Sequence, residues 1–184
     1  MKFDKHIQYI CSKISISIGI IYKIQSLIPK SCLRMLYFSI IHPYILYCLP
    51  VFGATYNTHL QPLVILQKRA VRIISGAGFL DHTTPLFYEN KILKIEDLYK
   101  HSIACYVYSN PSILNQFQQS HSYNTRNRNL LVPPRVGLRS TEQSILYNAV
   151  KIWNGVPENI KLSLTKQSFK YNYRNYLLSQ YVTG

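Results

Sequence analysis

An all-α fold follows from three features of the sequence. Apolar residues recur at steps of three and four through successive segments, the spacing that lines up one side of a 3.6-residue turn. Proline, glycine and capping residues fall between those segments, where helices start and stop. Hydrophobic residues make up 47% of the 184-residue chain, enough to bury a core and too many for wholesale disorder. The expected organisation is a helical bundle over residues 1–118, a basic linker or loop over 119–139 and a smaller helical region over 140–184.

The first segment, Asp4 to Leu27, carries Ile7, Ile10, Ile14, Ile18 and Ile21 as a helical stripe, with Asp4 as N-cap and Pro29 beyond its end. Branched isoleucines lower intrinsic helix propensity, so packing must hold this helix. A second run starts near Ser31 with Leu33, Leu36, Tyr37, Ile40 and Ile41 on one side. Pro43 is expected to kink or restart it before Pro50 and Gly53 stop it. In the third, Thr58-x-x-Gln61 has the form of a capping box and Pro62 falls near the first turn. Leu60, Leu63, Val64, Leu66, Ala70, Val71 and Ile74 follow at helical spacing, and Gly76 stands at the C-terminal cap position. Lys68, Arg69 and Arg72 lie in the last turns, at the favourable end of the helix dipole. Thr84-Pro85 reads as an N-cap followed by proline at the first helical position. A longer helix is expected over Ile95–Ser109, with Glu96 and Asp97 in its first turn and Pro111 after it.

From Ser120 to Arg139 the periodicity stops, Pro133-Pro134 blocks a helix and no acid occurs. This stretch reads as an ordered loop or a partly extended strand. Helical signals return at Ser140-x-x-Gln143, leading to Ile145, Leu146, Ala149, Val150 and Trp153, and Asn154-Gly155-Val156-Pro157 ends the run. Trp153 is expected as a core anchor, Asn154 as a cap on the helix carbonyls and Pro157 as the block to continuation. Thr165 caps a last helix with Phe169, Tyr173, Tyr176, Leu177 and Tyr181 facing one way.

Charge narrows the function. The 21 Lys and Arg against 7 Asp and Glu give a net charge of +14, distributed as +5 over residues 1–60, +2 over 61–120 and +7 over 121–184. Such a surplus suits an anionic partner, because lysine and arginine release counterions condensed on phosphate backbones. Arg126, Arg128, Arg135 and Arg139 alternate with Tyr123, Asn and His residues. Arginine forks onto phosphate while tyrosine and histidine offer stacking planes, the chemistry of single-strand or RNA recognition. The sixteen tyrosines are unusual, and tyrosine serves equally at a core edge or against a base.

Catalysis is poorly provided for. The acidic clusters are Asp81-His82 and Glu96-Asp97, and adjacent helical residues diverge by about 100°, so the latter pair does not converge on a metal. No nucleophile elbow, phosphate-binding glycine loop or zinc-protease motif occurs. Cys11, Cys32, Cys48 and Cys105 form no CxxC pair and lie in apolar stretches, where they are expected as reduced, buried thiols. No metal site or cofactor is expected. Lys23, the serines and Pro43 break the apolar stretches Ile14–Ile28 and Ile40–Phe52, so no membrane span is expected. No signal peptide is read, and the chain is expected in the nucleus or cytoplasm.

Taken in order, these segments resemble the C-terminal part of the reverse transcriptase of non-LTR (LINE-type, jockey-like) retrotransposons. Phe3-Asp4-Lys5-His6-Ile7, with Lys13-Ile14 and Ile18-Gly19, is similar to the segment just after the polymerase palm. Leu36-Tyr37-Phe38-Ser39-Ile40-Ile41-His42-Pro43-Tyr44 and Leu66-Gln67-Lys68-Arg69-Ala70-Val71-Arg72-Ile73-Ile74 resemble the thumb helices. Gly78-Phe79 through Thr84-Pro85-Leu86-Phe87, then Leu93-Lys94-Ile95-Glu96-Asp97-Leu98, continue in the family's order. So do His121-Ser122-Tyr123-Asn124-Thr125-Arg126 and Trp153-Asn154-Gly155-Val156-Pro157. The resemblance rests on their order, no single motif being decisive, and covers nearly the whole chain.

The resemblance implies a thumb and post-thumb region that grips a template–primer duplex while a palm domain does the chemistry. Polymerisation needs carboxylates around two metal ions. The family's palm carries them as paired aspartates, and this chain has no Asp-Asp pair; Phe3 also stands where the family has Trp. The chain reads as starting at an internal Met just after the palm, as a 5′-truncated element copy would. Binding roles are therefore carried over and catalytic ones are not. Lys68, Arg69 and Arg72 are assigned to the duplex backbone, and Tyr123, Arg126 and Arg128, with Arg135 and Arg139, to template RNA or target DNA. The partners implied are RNA, an RNA–DNA hybrid or DNA, and a palm domain in trans. The contrasting reading is a helical interaction module or a decayed reading frame without nucleic-acid function, exposing apolar surface once covered by the missing domain. A peripheral membrane role lacks a basic amphipathic anchor. Charge reversal at Arg126 and Arg128 is expected to weaken binding to RNA or hybrid in a gel-shift titration, and unchanged affinity would remove that segment from the site.

Overall fold

The isoleucine stripe of the first segment becomes α1 (Asp4–Ile24), whose Ile7, Ile10, Ile14, Ile18 and Ile21 are each at most 3% exposed and face α5 (Asn57–Ser75). These helices belong to a computed structural model that describes residues 3–117, 130–133, 137 and 143–182. Burying one isoleucine gains about 1.5–3 kcal/mol, several times its helix-propensity penalty of roughly 0.5 kcal/mol. Packing therefore holds α1. Asp4 is its first helical residue rather than its cap, and Phe3 precedes it. The Asp4 carboxylate instead pairs with His59 Nδ1 of α5 at 2.7 Å. At 21 residues α1 is long and apolar enough, by length and composition alone, to cross a membrane. The apolar stretch read from the sequence starts at Ile14, whereas the helix begins ten residues earlier.

The second run is α2 (Lys30–Leu36), a π-helical turn (Tyr37–Ile41) and α3 (His42–Leu46) in succession. Pro43 has no N–H for the α ladder, and the wide turn just before it absorbs the misfit. His42 N–H donates to the Tyr37 carbonyl five residues back. Ser17 of α1 gives the Ile40 carbonyl a donor at 3.3 Å, tying the turn to α1. After α3, Cys48 takes a left-handed conformation (φ 57°) and α4 (Leu49–Phe52) follows. Cys48 is exposed, against the expectation of a buried thiol, because the chain reverses there. Cys105 is buried, and Cys11 and Cys32 are half-buried. Gly53 is required by close approach: a Cβ there would run into the Tyr99 ring and the Leu49 carbonyl.

α5 starts at Asn57 behind an extended Tyr56, so Thr58 lies inside the helix and no capping box forms. Pro62 is interior as well, and its missing N–H affects only exposed backbone near Thr58. Gly76 (φ 68°) closes α5, with Gly76 N–H on the Ile73 carbonyl at 3.2 Å and Ala77 N–H on the Arg72 carbonyl at 3.0 Å. α6 (Thr83–Glu89) begins behind His82, so Thr84 does not cap it; the Thr84 hydroxyl accepts from Lys94 Nζ at 3.1 Å. α7 (Ile95–Ser109) occupies the expected span, and a 3₁₀ segment (Pro111–Phe117) follows.

On the C-terminal side, Ser144 rather than the expected Ser140-x-x-Gln143 box caps α8 (Ile145–Asn154), its hydroxyl accepting from Tyr147 N–H at 3.2 Å. Ser140 lies outside the described residues. Asn154 does not cap carbonyls. Its side-chain amide pairs with the backbone of Leu131, accepting from N–H at 3.1 Å and donating to C=O at 2.9 Å. An amide matches both backbone groups of an extended residue at once, which a helix end cannot offer. α9 (Glu158–Lys161) and α10 (Lys166–Ser179) complete the described fold, and Thr165 caps α10 by accepting from Ser168 N–H at 3.1 Å. α8 and α10 pack on α7, so apolar residues from both sides of the basic stretch, Ile103 and Phe169 among them, share one core. Among the described residues there is no β-strand.

Gln67, 1% exposed, sits where these elements meet. Its amide donates to Tyr37 Oη at 3.0 Å and to the Leu93 carbonyl at 2.9 Å, and its carbonyl accepts Ile95 N–H at 3.1 Å. Replacing Gln67 with Leu strands all of these groups. The expected loss is about 3 kcal/mol of unfolding free energy by urea denaturation, whereas Tyr37→Phe, which strands one donor, is expected to cost about 1 kcal/mol.

Candidate nucleic-acid interface

α5 buries Leu60, Leu63, Gln67, Ala70, Val71 and Ile74. The 3.6-residue period then turns Lys68, Arg69 and Arg72 outward within an arc of about 100°. Ile65, more than half exposed, lies on the same arc. The structure thus brings these predicted residues together. Arg72 Nε donates to the Asp81 carbonyl at 3.1 Å, while the Asp81 carboxylate accepts Gly78 N–H at 2.6 Å within its own turn. No carboxylate of a described residue lies within ion-pair distance of Lys68, Arg69 or Arg72. Lys68 also borders a groove of about 290 Å³ between α5 and α6, together with His82, Thr84, Lys94 and Glu96.

The other predicted binding residues, Tyr123, Arg126, Arg128, Arg135 and Arg139, lie outside the described residues. Trp153 is half-buried, its indole 5.9 Å from the Phe169 ring and covered by Lys161 Nζ at 5.7 Å. Pro157 precedes α9 at its N-cap position.

Asp97 fastens the start of α7 to the C-terminal segment. Asp97 accepts the Tyr181 hydroxyl at 2.6 Å and Lys100 Nζ at 2.8 Å, and Lys94 N–H donates to the same Tyr181 oxygen at 2.9 Å. Burial, then the Asp97 bond, pushes the Tyr181 hydroxyl well above its ordinary value. Among the described residues no group of three His, Cys, Asp or Glu side chains could hold a metal ion.

A second basic cluster escaped the sequence reading. Arg34 of α2 and Arg174 of α10 approach the Phe38 ring at 4.9 and 6.0 Å, and His42 stands edge-on to that ring at 5.1 Å. Lys166, Lys170 and Arg174 recur at steps of four, a helical stripe visible in the sequence. Its convergence with Arg34, 140 residues earlier, is not. His101 Nε2 lies 3.1 Å from the Lys170 carbonyl, and its ring stacks on Tyr173 at 6.1 Å. Burial first, then the charge of Arg174, lowers the His101 pKa despite that carbonyl.

No protein-family model, curated protein or solved structure matches the chain.

Burial, then the neighbouring Arg174 and His101, hold His42 down to about 4 from 6.5. A folded-state value below the unfolded one means the unfolded chain binds the proton first, so stability is intact above pH 6.5 and falls toward pH 4. Urea midpoints measured across that window are expected to drop with pH, by roughly 2 kcal/mol in unfolding free energy once screening of the partly exposed ring is allowed for. His42→Phe is expected to reduce the slope and leave the part due to His101, whose pKa is also lowered by burial.

Proposed function

We propose that the chain is a non-catalytic helical module that grips nucleic acid by its phosphate backbone, the part played by the thumb and post-thumb region in the retrotransposon reverse transcriptases it resembles. One observation carries this reading: Lys68, Arg69 and Arg72 share one outward arc of α5 with no carboxylate of a described residue within ion-pair distance, in a chain of net charge +14. A rigid helix holding cations on one face suits a regular row of phosphates, because it keeps their separation fixed while counterions leave. An RNA–DNA hybrid is the partner this reading favours, with Tyr123, Arg126, Arg128, Arg135 and Arg139 adding contacts to RNA or DNA. The chemistry of strand synthesis belongs, on this reading, to a palm domain in trans.

A second reading, a helical interaction module, is favoured by the outer face of α1. Tyr9, Ile16 and Ile20, each more than half exposed, align there at steps of seven and four. Self-association in analytical ultracentrifugation without affinity for hybrid would select it.

Fluorescence anisotropy with a labelled RNA–DNA hybrid at graded salt separates the two. Binding is expected to weaken linearly in log–log form. The Lys68→Gln/Arg69→Gln/Arg72→Gln variant is expected to lower the slope by about 2–3, one phosphate contact per lost cation. Absence of binding at low ionic strength, or an unchanged slope in the variant, would overturn the assignment.

A further inference from the structure

The turn after α6 is closed in an unusual way. Lys91 N–H donates to the Tyr88 carbonyl and Ile92 N–H to the Phe87 carbonyl, both at 2.9 Å, which is the bonding of a helix end whose left-handed position glycine normally fills. Here that position is Lys91, at φ 51°. A side chain there is strained, and such strain persists only where the surroundings hold it. What surrounds it is positive charge. Arg34 Nε donates to the Asn90 carbonyl at 2.7 Å, and Arg174 Nη2 to the next carbonyl, that of Lys91, at 2.6 Å. The two guanidiniums, each within about 6 Å of the Phe38 ring, are thus fixed on successive carbonyls of one turn.

Each guanidinium carries five N–H donors, and these bonds take one from each. No carboxylate of a described residue lies within ion-pair distance of Arg34, Lys91 or Arg174. Burial and the proximity of Arg34 depress even the Arg174 guanidinium, and Arg174 in turn depresses His42 and His101. Like charges held together without an acid repel, and an oxyanion relieves the repulsion while accepting the unused donors. Capping of the carbonyls in the turn after α6 accounts for one bond from each arginine. It does not account for a strained lysine in place of glycine, nor for two arginines sharing one ring.

We propose that this turn, with Lys91 within it, Arg34 and Arg174 fixed on its carbonyls and Phe38 as the platform of the two arginines, is a binding site for a phosphate oxyanion. Lys170 and Lys166, one and two turns back along α10 from Arg174, extend the site toward a second phosphate. The site uses none of the α5 cations and does not depend on the α5 reading. Its phosphate could come from a nucleic-acid backbone or from a free phosphate or pyrophosphate.

The test uses the full chain at constant ionic strength, with inorganic phosphate and pyrophosphate exchanged for chloride, read by calorimetry and by NMR titration of the histidine rings. Phosphate is expected to raise the pKa of both His42 and His101, a measurement on the unaltered protein. Arg34→Gln/Arg174→Gln is expected to weaken phosphate binding about ten-fold or more, from the loss of charge-assisted bonds. Lys91→Gly relieves the backbone, so it is expected to raise Tm by about 2 °C while weakening phosphate binding about three-fold. A role confined to capping would give the first effect without the second. The Lys68→Gln/Arg69→Gln/Arg72→Gln variant should bind phosphate as the unaltered chain does, which separates this site from α5. Competition of a short oligonucleotide with phosphate would identify a backbone source, and phosphate binding without competition a free anion; both support the site. Unmoved histidine titrations, or equal phosphate affinity in the double arginine variant, would overturn it.

Discussion

The buried amide of Gln67 sets the conditions under which the rest of the bundle assembles. A primary amide offers donors and an acceptor in one plane, and here they reach the Tyr37 hydroxyl, the Leu93 carbonyl and the Ile95 N–H. Those partners belong to the π-helical turn, the connection after α6 and the first residue of α7. A polar group this deep is tolerable only when fully paired, so its pairing fixes the relative register of three elements. α7 in turn presents the surface on which α8 and α10 pack. The carbonyls at Asn90 and Lys91, which receive Arg34 and Arg174, lie on the connection that Gln67 anchors.

Scarce acid shapes the charge pattern. Asp4 holds α1 to α5 through His59, Asp81 closes a turn onto Gly78, and Asp97 receives Tyr181 and Lys100 at the start of α7. Glu158 pairs with Lys161 beside Trp153. Each of these acids is thus engaged by a group of the same chain. Two groups of cations, on the α5 arc and at the turn after α6, have no carboxylate of a described residue within ion-pair distance.

The tyrosines follow the same economy of polar groups. Tyr37 and Tyr181 bond Gln67 and Asp97, and Tyr108 donates to the Ser163 carbonyl while stacking on Phe169 at 4.4 Å. Tyr173 lies between Phe169 and Tyr176 in a stacked row. Tyr37, Tyr108 and Tyr181 each fill apolar space and satisfy a polar group at the rim, the use expected of tyrosine at a core edge.

The sequence by itself determined the helical class, the isoleucine stripe of α1, the span of α7, the glycine stop of α5 and the Thr165 cap. All of these depend on contacts within a few residues, where side-chain period and backbone freedom act directly. The outward grouping of Lys68, Arg69 and Arg72 was legible for the same reason. Only the tertiary structure decided what Thr84 and Asn154 do, because each has a competing partner outside its own helix. Helix α5 starts early enough to place His59 against Asp4, Thr84 turns to Lys94, and Asn154 turns to Leu131. Arg34 and Arg174 meet at the Asn90–Lys91 turn for the same reason. The strength of a capping bond is about that of one ordinary hydrogen bond, so a well-placed tertiary partner outbids it, and local sequence carries no record of which distant residue will arrive.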